Sequence, residues 1–360
     1  MEVSVLIAAF VIATLLHYGV QKLFIHYKRF DDFNHRSSHK TLATRTGGIG
    51  IFLTVLFISL YYYFQGIELF DYSLFIPLGI MFIIGVYDDL YNADFKLKFL
   101  LQIIVAKILI DQGYVISNYH GLFGVYEVPW LLAQASTVFV FLVVVNAINF
   151  IDGIDGLAIT EVIKIILVFE FFSNGLTALG PLGLLIIASI LPLYYFNFKK
   201  KRKVFLGDGG SMLLGTLTMV YVLYGLGNSY SFQEELTINK TLFAVLVLLY
   251  PLIDLLRVFF LRIKDGKSPF VADDRHIHHL VFKKIKSSFF TTSLIFLFGI
   301  LFQIILIATT VLKISAYSVF LTKFSRPVKI LTSKVKFSCV IIIDSHHIKR
   351  KWVKRNPVVF

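Results

Sequence analysis

Apolar residues in this chain fall into long runs separated by short polar breaks. The runs cover approximately residues 3–24, 48–64, 74–87, 99–116, 130–145, 157–172, 176–196, 212–226, 242–261 and 289–312. Most approach the roughly 20 residues that a helix needs to cross a hydrocarbon core about 30 Å thick. The pattern predicts an all-α, polytopic membrane protein of about ten transmembrane helices. The domain boundaries expected from it are a transmembrane domain over 1–312 and a basic tail over 313–360. The tail's one apolar patch, Cys339–Ile343, is too short to span.

The breaks between runs are of two kinds. Those after runs 1, 3, 7 and 9 carry Lys28, Arg29, Arg36, Lys40 and Arg45; Lys96 and Lys98; Lys199 to Lys203; and Arg262, Lys264, Lys267 and Arg275. Those after runs 2, 4, 6 and 8 carry no Lys or Arg as far as Asn239. Cytoplasmic loops collect Lys and Arg, so the alternation puts the basic set inside and the N-terminus outside. Glu2, with no basic residue before the first run, argues against a cleaved signal peptide.

Composition sharpens this. The chain is 57% hydrophobic and 16% charged, against about 25% charged in soluble proteins. A net charge of +13 would point to nucleic acid in a soluble chain; here topology accounts for it, and no nucleic-acid partner is expected. The single cysteine, Cys339, excludes an intramolecular disulfide and a cysteine-based metal site.

Against this apolar background, five polar clusters stand out, all at the end of the runs that the charge rule assigns to the cytoplasm. Asn146–Ala158, NAINFIDGIDGLA, joins two runs and holds Asn146, Asn149, Asp152 and Asp155. Asp152 and Asp155 are three apart, which puts both on one face if the segment is helical. Carboxylates at the end of a span are costly without a cation or a polar chamber. Asp88-Asp89 is an adjacent pair whose repulsion calls for a cation or a shared proton, and magnesium commonly joins one or two carboxylates to substrate phosphates. Lys98, a turn or two on, is placed to meet a phosphate. Gly207-Asp208-Gly209-Gly210-Ser211 opens run 8 with backbone N–H groups free for an anion, although an aspartate there also simply complements the helix dipole. His276-Ile277-His278-His279 sits in a basic loop; zinc would need a fourth ligand that the spacing does not supply, so phosphate binding is favoured. Gly47-Gly48, after Lys40 and Arg45, is a weaker basic-plus-glycine approach to run 2. Lys107/Asp111 and Glu161/Lys164, inside runs, are spaced to neutralise one another on one helix face. Several carboxylates, bases and glycine-rich backbones at one membrane face are what metal-assisted phosphoryl transfer requires. A site at the bilayer boundary implies one lipid substrate and one water-soluble one.

These clusters, in this order, resemble the polyprenyl-phosphate N-acetylhexosamine-1-phosphate transferases, glycosyltransferase family 4, over roughly residues 1–312. The resemblance rests on Asp88-Asp89-x-x-Asn92 with Lys98 and Gln102, on Asn146 to Ala158, on Phe205 to Ser211, and on Ser268-Pro269-Phe270 through His279. The His-Ile-His-His form looks like the GlcNAc-1-phosphate branch. Thr44 stands where the family usually has proline, and Leu280 where it often has arginine.

The resemblance implies transfer of N-acetylhexosamine 1-phosphate from a UDP-sugar to undecaprenyl phosphate, with release of UMP, for cell-envelope glycan synthesis such as cell wall, lipopolysaccharide or O-antigen. It implies magnesium, or manganese, on Asp208, Asp88 and Asp89, with these three catalytic. It assigns substrate to Lys40, Arg45, Lys98, Asn146, Asn149, Asp152, Asp155, His276, His278 and His279. A bacterial inner-membrane location with a cytoplasmic active site follows, and a homodimer is compatible with it. The alternatives are a phospho-MurNAc-pentapeptide or other UDP-sugar substrate, and, more distantly, a secondary transporter, against which stand the one-sided clusters and the lack of an internal repeat.

Overall fold

A computed structural model of the protein describes residues 2–30, 43–233, 238–266 and 275–324. Lys40 and the Ser268-Pro269-Phe270 segment lie outside these residues. The chain divides into two compact units, residues 1–307 and 308–360, and all the site residues described below belong to the first.

Every apolar run forms helix. The helices are α1 (Val3–His26), α2 (Gly47–Phe64), α3 (Phe75–Tyr91), α4 (Phe95–Asp111), α5 (Trp130–Ile151), α6 (Leu157–Phe172), α7 (Gly180–Phe198), α8 (Gly207–Leu226), α9 (Lys240–Val247), α10 (Leu249–Lys264), α11 (Ile277–Ile285) and α12 (Ser288–Phe324). Seven are long and apolar enough to cross a membrane, α3 being counted with the 3-10 turn Tyr72–Leu74 that leads into it, and α9 with α10 makes an eighth candidate bent by 71°. α4 and α6, at 17 and 16 residues, fall short of that length among the described residues.

α8 is the centre. Its most apolar window is 94% buried, against 22% for α1, and α2, α3, α5, α6 and α9 all pack on it. Small residues allow backbones to approach closely where lipid supplies no hydrophobic drive between helices. A Cβ on Gly48 would stand 2.2 Å from Gly210 N, and one on Gly85 2.3 Å from the Asp208 carbonyl oxygen. Glycines on α2, α3 and α8 therefore bring three helices into backbone contact at the end where Asp208 sits. α1 packs on α7 and α2 and turns Ile7, Phe10, Val11 and Leu15 outward.

Among the described residues four short strands complete the fold, none of them predicted. β1 (Ala43–Thr44) pairs parallel with β4 (Lys203–Val204), and the ladder continues as Phe205 N–H to Thr44 O at 2.8 Å, Gly47 N–H to Phe205 O and Gly48 N–H to Leu206 O, both 2.9 Å. This ties the entry of α2 to the entry of α8. β2 (Asn118–Leu122) and β3 (Val125–Glu127) form an antiparallel hairpin between α4 and α5. Two-residue strands and a five-residue strand with no alternation leave too little pattern to read.

The structure corrects two expectations. Asp152 and Asp155 do not share a helix face: α5 ends at Ile151 with Asp152 as its C-cap, and α6 begins only after Gly156, whose φ is +79°. Run 9 is two helices, because Pro251 lacks the N–H that would bond the Val247 carbonyl; Gln303 on α12 instead donates to Leu246 O and Val247 O, each at 2.9 Å. Asp88-Asp89 lies in the last turn of α3 and Asp208 in the first turn of α8, at the helix ends where the sequence puts them. The Lys107–Asp111 and Glu161–Lys164 pairs form as their spacing implies, the first exposed and the second buried.

Candidate active site

The site is built where the end of α3 meets the start of α8. Asp89 is committed to that junction. Its Oδ1 accepts the Asp208 N–H at 3.0 Å and its Oδ2 the Gly209 N–H at 2.9 Å, and Arg45 Nη1 lies 3.6 Å from Oδ1. The first N–H groups of a helix have no intrahelical acceptor, and a carboxylate there also complements the dipole. At 4% exposure, Asp89 acts as the cap that fixes α8 on α3.

Asp88, its neighbour, faces elsewhere. Its Oδ1 accepts the Ala93 N–H at 2.7 Å, and its Oδ2 meets Lys98 Nζ at 2.7 Å. Asn92, with φ of +53°, ends α3 in the left-handed conformation and so folds α4 back to bring Lys98 over Asp88. Lys98 Nζ is also 3.5 Å from Asp208 Oδ2. Two carboxylates thus converge on one ammonium. Asn149 supports the group, donating to Ser211 Oγ at 2.7 Å and to Asp208 Oδ1 at 3.3 Å. Asn146 donates to Gln102 Oε1 at 2.9 Å, so the other asparagine of the motif holds α5 to α4.

Asp152 shares the electrostatic environment of this group. Burial, followed by the nearby carboxylates of Asp208, Asp89 and Asp155, pushes its carboxyl well above the usual range, with Arg45 acting the other way. Asp155 turns aside to an ion pair with Lys203, and its carbonyl accepts Thr292 Oγ1 at 2.9 Å. The NAINFIDGIDGLA segment therefore serves several places: Asn149 and Asp152 face the carboxylate group, Asn146 holds α5 to α4, and Asp155 ties the break to β4 and α12.

The histidine loop reaches the same segment from another side. A Cβ on Gly153 would stand 2.9 Å from His278 Nε2 and 3.2 Å from His279 Cε1 and Nε2, and the His276 ring lies 5.8 Å from that of Phe150. Burial lowers the affinity of His278 for a proton, opposed by Asp254 and reinforced by His276. Asp254 escaped the sequence analysis. It contacts His276 and His278, and these three form the one His/Asp group among the described residues with three potential ligand atoms within 4.8 Å of one another. A lone acid within an apolar run was the signal that could have found it.

Of the predicted site residues, Asp88, Asp89, Asp208, Lys98, Asn149 and Arg45 meet around the α3–α8 junction, and Asn146 and Asp152 border it. His278 and His279 pack on Gly153, His276 lies against Phe150, and Asp155 is engaged by Lys203. For magnesium, Asp88 and Asp208 offer oxygen donors on two carboxylates beside an open face, Asp208 being 30% exposed. That fits an ion that takes one or two carboxylates and completes its shell with water and substrate phosphates.

Comparison with known proteins decides what kind of enzyme this is. Residues 71–226 match the profile of glycosyl transferase family 4, a span that includes Asp88, Asp89, the whole of Asn146–Ala158 and Asp208. With the relatives that follow, this match indicates a sugar-phosphate transferase enzyme. It is 28% identical over 302 residues to the undecaprenyl-phosphate alpha-N-acetylglucosaminyl 1-phosphate transferase of Salmonella typhi, covering 78% of this chain and 76% of the relative. It is 28% identical over 299 residues to the protein of that name in Escherichia coli K12, covering 77% and 76%. A probable undecaprenyl-phosphate N-acetylglucosaminyl 1-phosphate transferase of Bacillus subtilis is 29% identical over 311 residues, 84% of each chain. Arg45 and the histidine loop fall outside the family 4 match, and they are the parts that the α2 entry and α10 bring to it.

Proposed function

We propose that the protein transfers N-acetylglucosamine 1-phosphate from UDP-N-acetylglucosamine to undecaprenyl phosphate. The observation that carries this is the convergence of Asp88 and Asp208 on Lys98 at the mouth of a helix bundle whose outer surface is apolar. The names of the relatives supply the acceptor and the sugar.

In this reading an oxygen of the lipid phosphate attacks the β-phosphorus of the nucleotide sugar. A new P–O bond forms, the bond between that phosphorus and the UMP oxygen breaks, and the sugar 1-phosphate passes to the lipid as a diphosphate. A phosphate monoester is largely dianionic near pH 7, since its second pKa is about 6, so the nucleophile needs little help in losing a proton. The protein's work is positioning and charge compensation. Lys98 moves from Asp88 and Asp208 towards the phosphates as they enter. Asn149 holds Asp208 in orientation, and Asp89 with Arg45 holds the α8 entry still. Asp88 and Asp208 would carry magnesium or manganese, whose chemistry is to neutralise charge on the diphosphate. Asn146, Asp152 and the histidines line the side from which the nucleotide sugar arrives. The basic loops support a cytoplasmic position for this end, in a bacterial inner membrane with the N-terminus outside.

The purified protein, given undecaprenyl phosphate, magnesium and UDP-N-acetylglucosamine, is expected to release UMP, and Asp208→Asn to abolish the release while the protein stays folded. Absence of UMP with every UDP-N-acetylhexosamine tried would sink the proposal; full activity in Asp208→Asn would remove Asp208 from the centre.

A further inference from the structure

Asp254 is fully buried on α10, and its hydrogen-bond and ion-pair partners among the described residues belong to the histidine loop. Its Oδ1 accepts the Ile277 N–H at 2.6 Å, the first backbone donor of α11. Its Oδ2 lies 2.9 Å from His276 Nδ1 and 3.2 Å from His278 Nδ1. One turn along α10, Arg257 donates to the Arg275 carbonyl, and beyond the helix end Asp265 pairs with Arg275 at 2.5 Å. α10 therefore grips the chain at Arg275, His276, Ile277 and His278. The other side of the loop meets Gly153, where no Cβ fits without moving His278 or His279. Both rings that Asp254 contacts present Nδ1 to it; the Nε2 of His278 is buried against Gly153 without a hydrogen-bond partner among the described residues.

We propose that Asp254 is a positioning residue that sets the His276–His279 loop against Gly153, so that the two segments form one clamp for the diphosphate of the nucleotide sugar. The clamp rests on the transferase reading above for its substrate. The 71° bend before α10 has a purpose in this arrangement, because it aims Asp254 at the loop. A carboxylate on Nδ1 fixes both the ring orientation and which nitrogen carries the hydrogen, as outer-shell carboxylates do for functional histidines generally. The same three residues could hold a cation, but the Ile277 N–H already occupies Oδ1 and His276 Nδ1 is hydrogen-bonded to Oδ2, so donors from the chain itself satisfy the carboxylate.

The test is Asp254→Asn in the full-length enzyme. Asparagine keeps an acceptor for the Ile277 N–H, but presents an amide hydrogen to His276 and reverses the hydrogen bond. The expected result is a rise of about tenfold in KM for UDP-N-acetylglucosamine, with KM for undecaprenyl phosphate and the thermal midpoint unchanged. A merely structural role would move both KM values, or the midpoint. Gly153→Ala, which presses on the loop from the other side, should give the same selective rise. In the double variant the two effects should fall short of additive, as expected for residues acting on one loop. Inorganic pyrophosphate is the second probe: its binding to the wild type should weaken about tenfold in Asp254→Asn. An active wild type whose Asp254→Asn form keeps its KM overturns the clamp, as does a stoichiometric transition metal that copurifies with the wild type and is lost in the variant. A wild type that binds pyrophosphate through Asp254 yet releases no UMP keeps the clamp and overturns the transferase reading. Loss of both responses overturns both.

Discussion

Asp88 and Asp89 are adjacent in sequence and opposite in employment. The sequence shows two like charges side by side and cannot say which is used for what, since the answer depends on α8, which begins well over a hundred residues later. Asp89 spends both oxygens on backbone N–H groups of α8, while Asp88 shares Lys98 with Asp208. This separates two variants that would otherwise look alike. Asp89→Asn weakens charge-assisted hydrogen bonds worth about 1.5–3 kcal/mol and should lower the thermal midpoint in detergent. Asp88→Asn should leave the midpoint nearly unchanged and reduce turnover on the order of 100-fold, the usual scale for losing one preorganised charge contact. A stable Asp89→Asn beside an unstable Asp88→Asn would reverse the assignment. Residue type was legible throughout the site, and Lys98, Asn149 and Asp208 meet as their clustering implies. Partner choice was not legible: Asp155 goes to Lys203, and Asp254, hidden in an apolar run, holds the histidines.

At the scale of elements, run lengths located the helices and glycines set the distances between them. Helix existence follows from apolar length alone, which is why every run formed one. Helix ends depend on caps and on breaks such as Pro251 and Gly156, and these are where the expected boundaries shifted. The glycines of α3 carry a contrast that sequence does not reveal. A Cβ on Gly85 would sit 2.3 Å from the Asp208 carbonyl oxygen, whereas one on Gly79 meets only Phe52 Cζ at 3.8 Å. Gly85→Ala must push the first turn of α8 away from α3, an overpacking cost of about 1–3 kcal/mol, and it displaces Asp208 directly. Turnover and thermal midpoint should both fall. Gly79→Ala, on the same helix, should change neither. Equal tolerance at the two positions would mean that α3 and α8 are not in backbone contact.

For the whole molecule, the decisive asymmetry is that chemistry and basic charge share one end of the bundle. Asp88, Asp208, the break after Ile151 and the histidine loop lie at the end that also carries Lys199 to Lys203, while the β2–β3 hairpin occupies the connection at the other end. Desolvating Lys or Arg during translocation is costly, and retention of basic loops in the cytoplasm follows; the nucleotide sugar proposed as donor is water-soluble and is expected on that side too. Two independent considerations thus give one orientation, which exposed cysteines can check. Cys339 is the only native thiol and is first replaced by serine. Phe123, 96% exposed in the hairpin, and Lys201, exposed in the basic run, are then changed to cysteine one at a time. A membrane-impermeant maleimide added to cells with the outer membrane permeabilised should label Phe123→Cys at once. Lys201→Cys should react only after the inner membrane is opened. Labelling in the opposite order would turn the protein over and place the carboxylate site outside, where a cytoplasmic nucleotide sugar could not reach it.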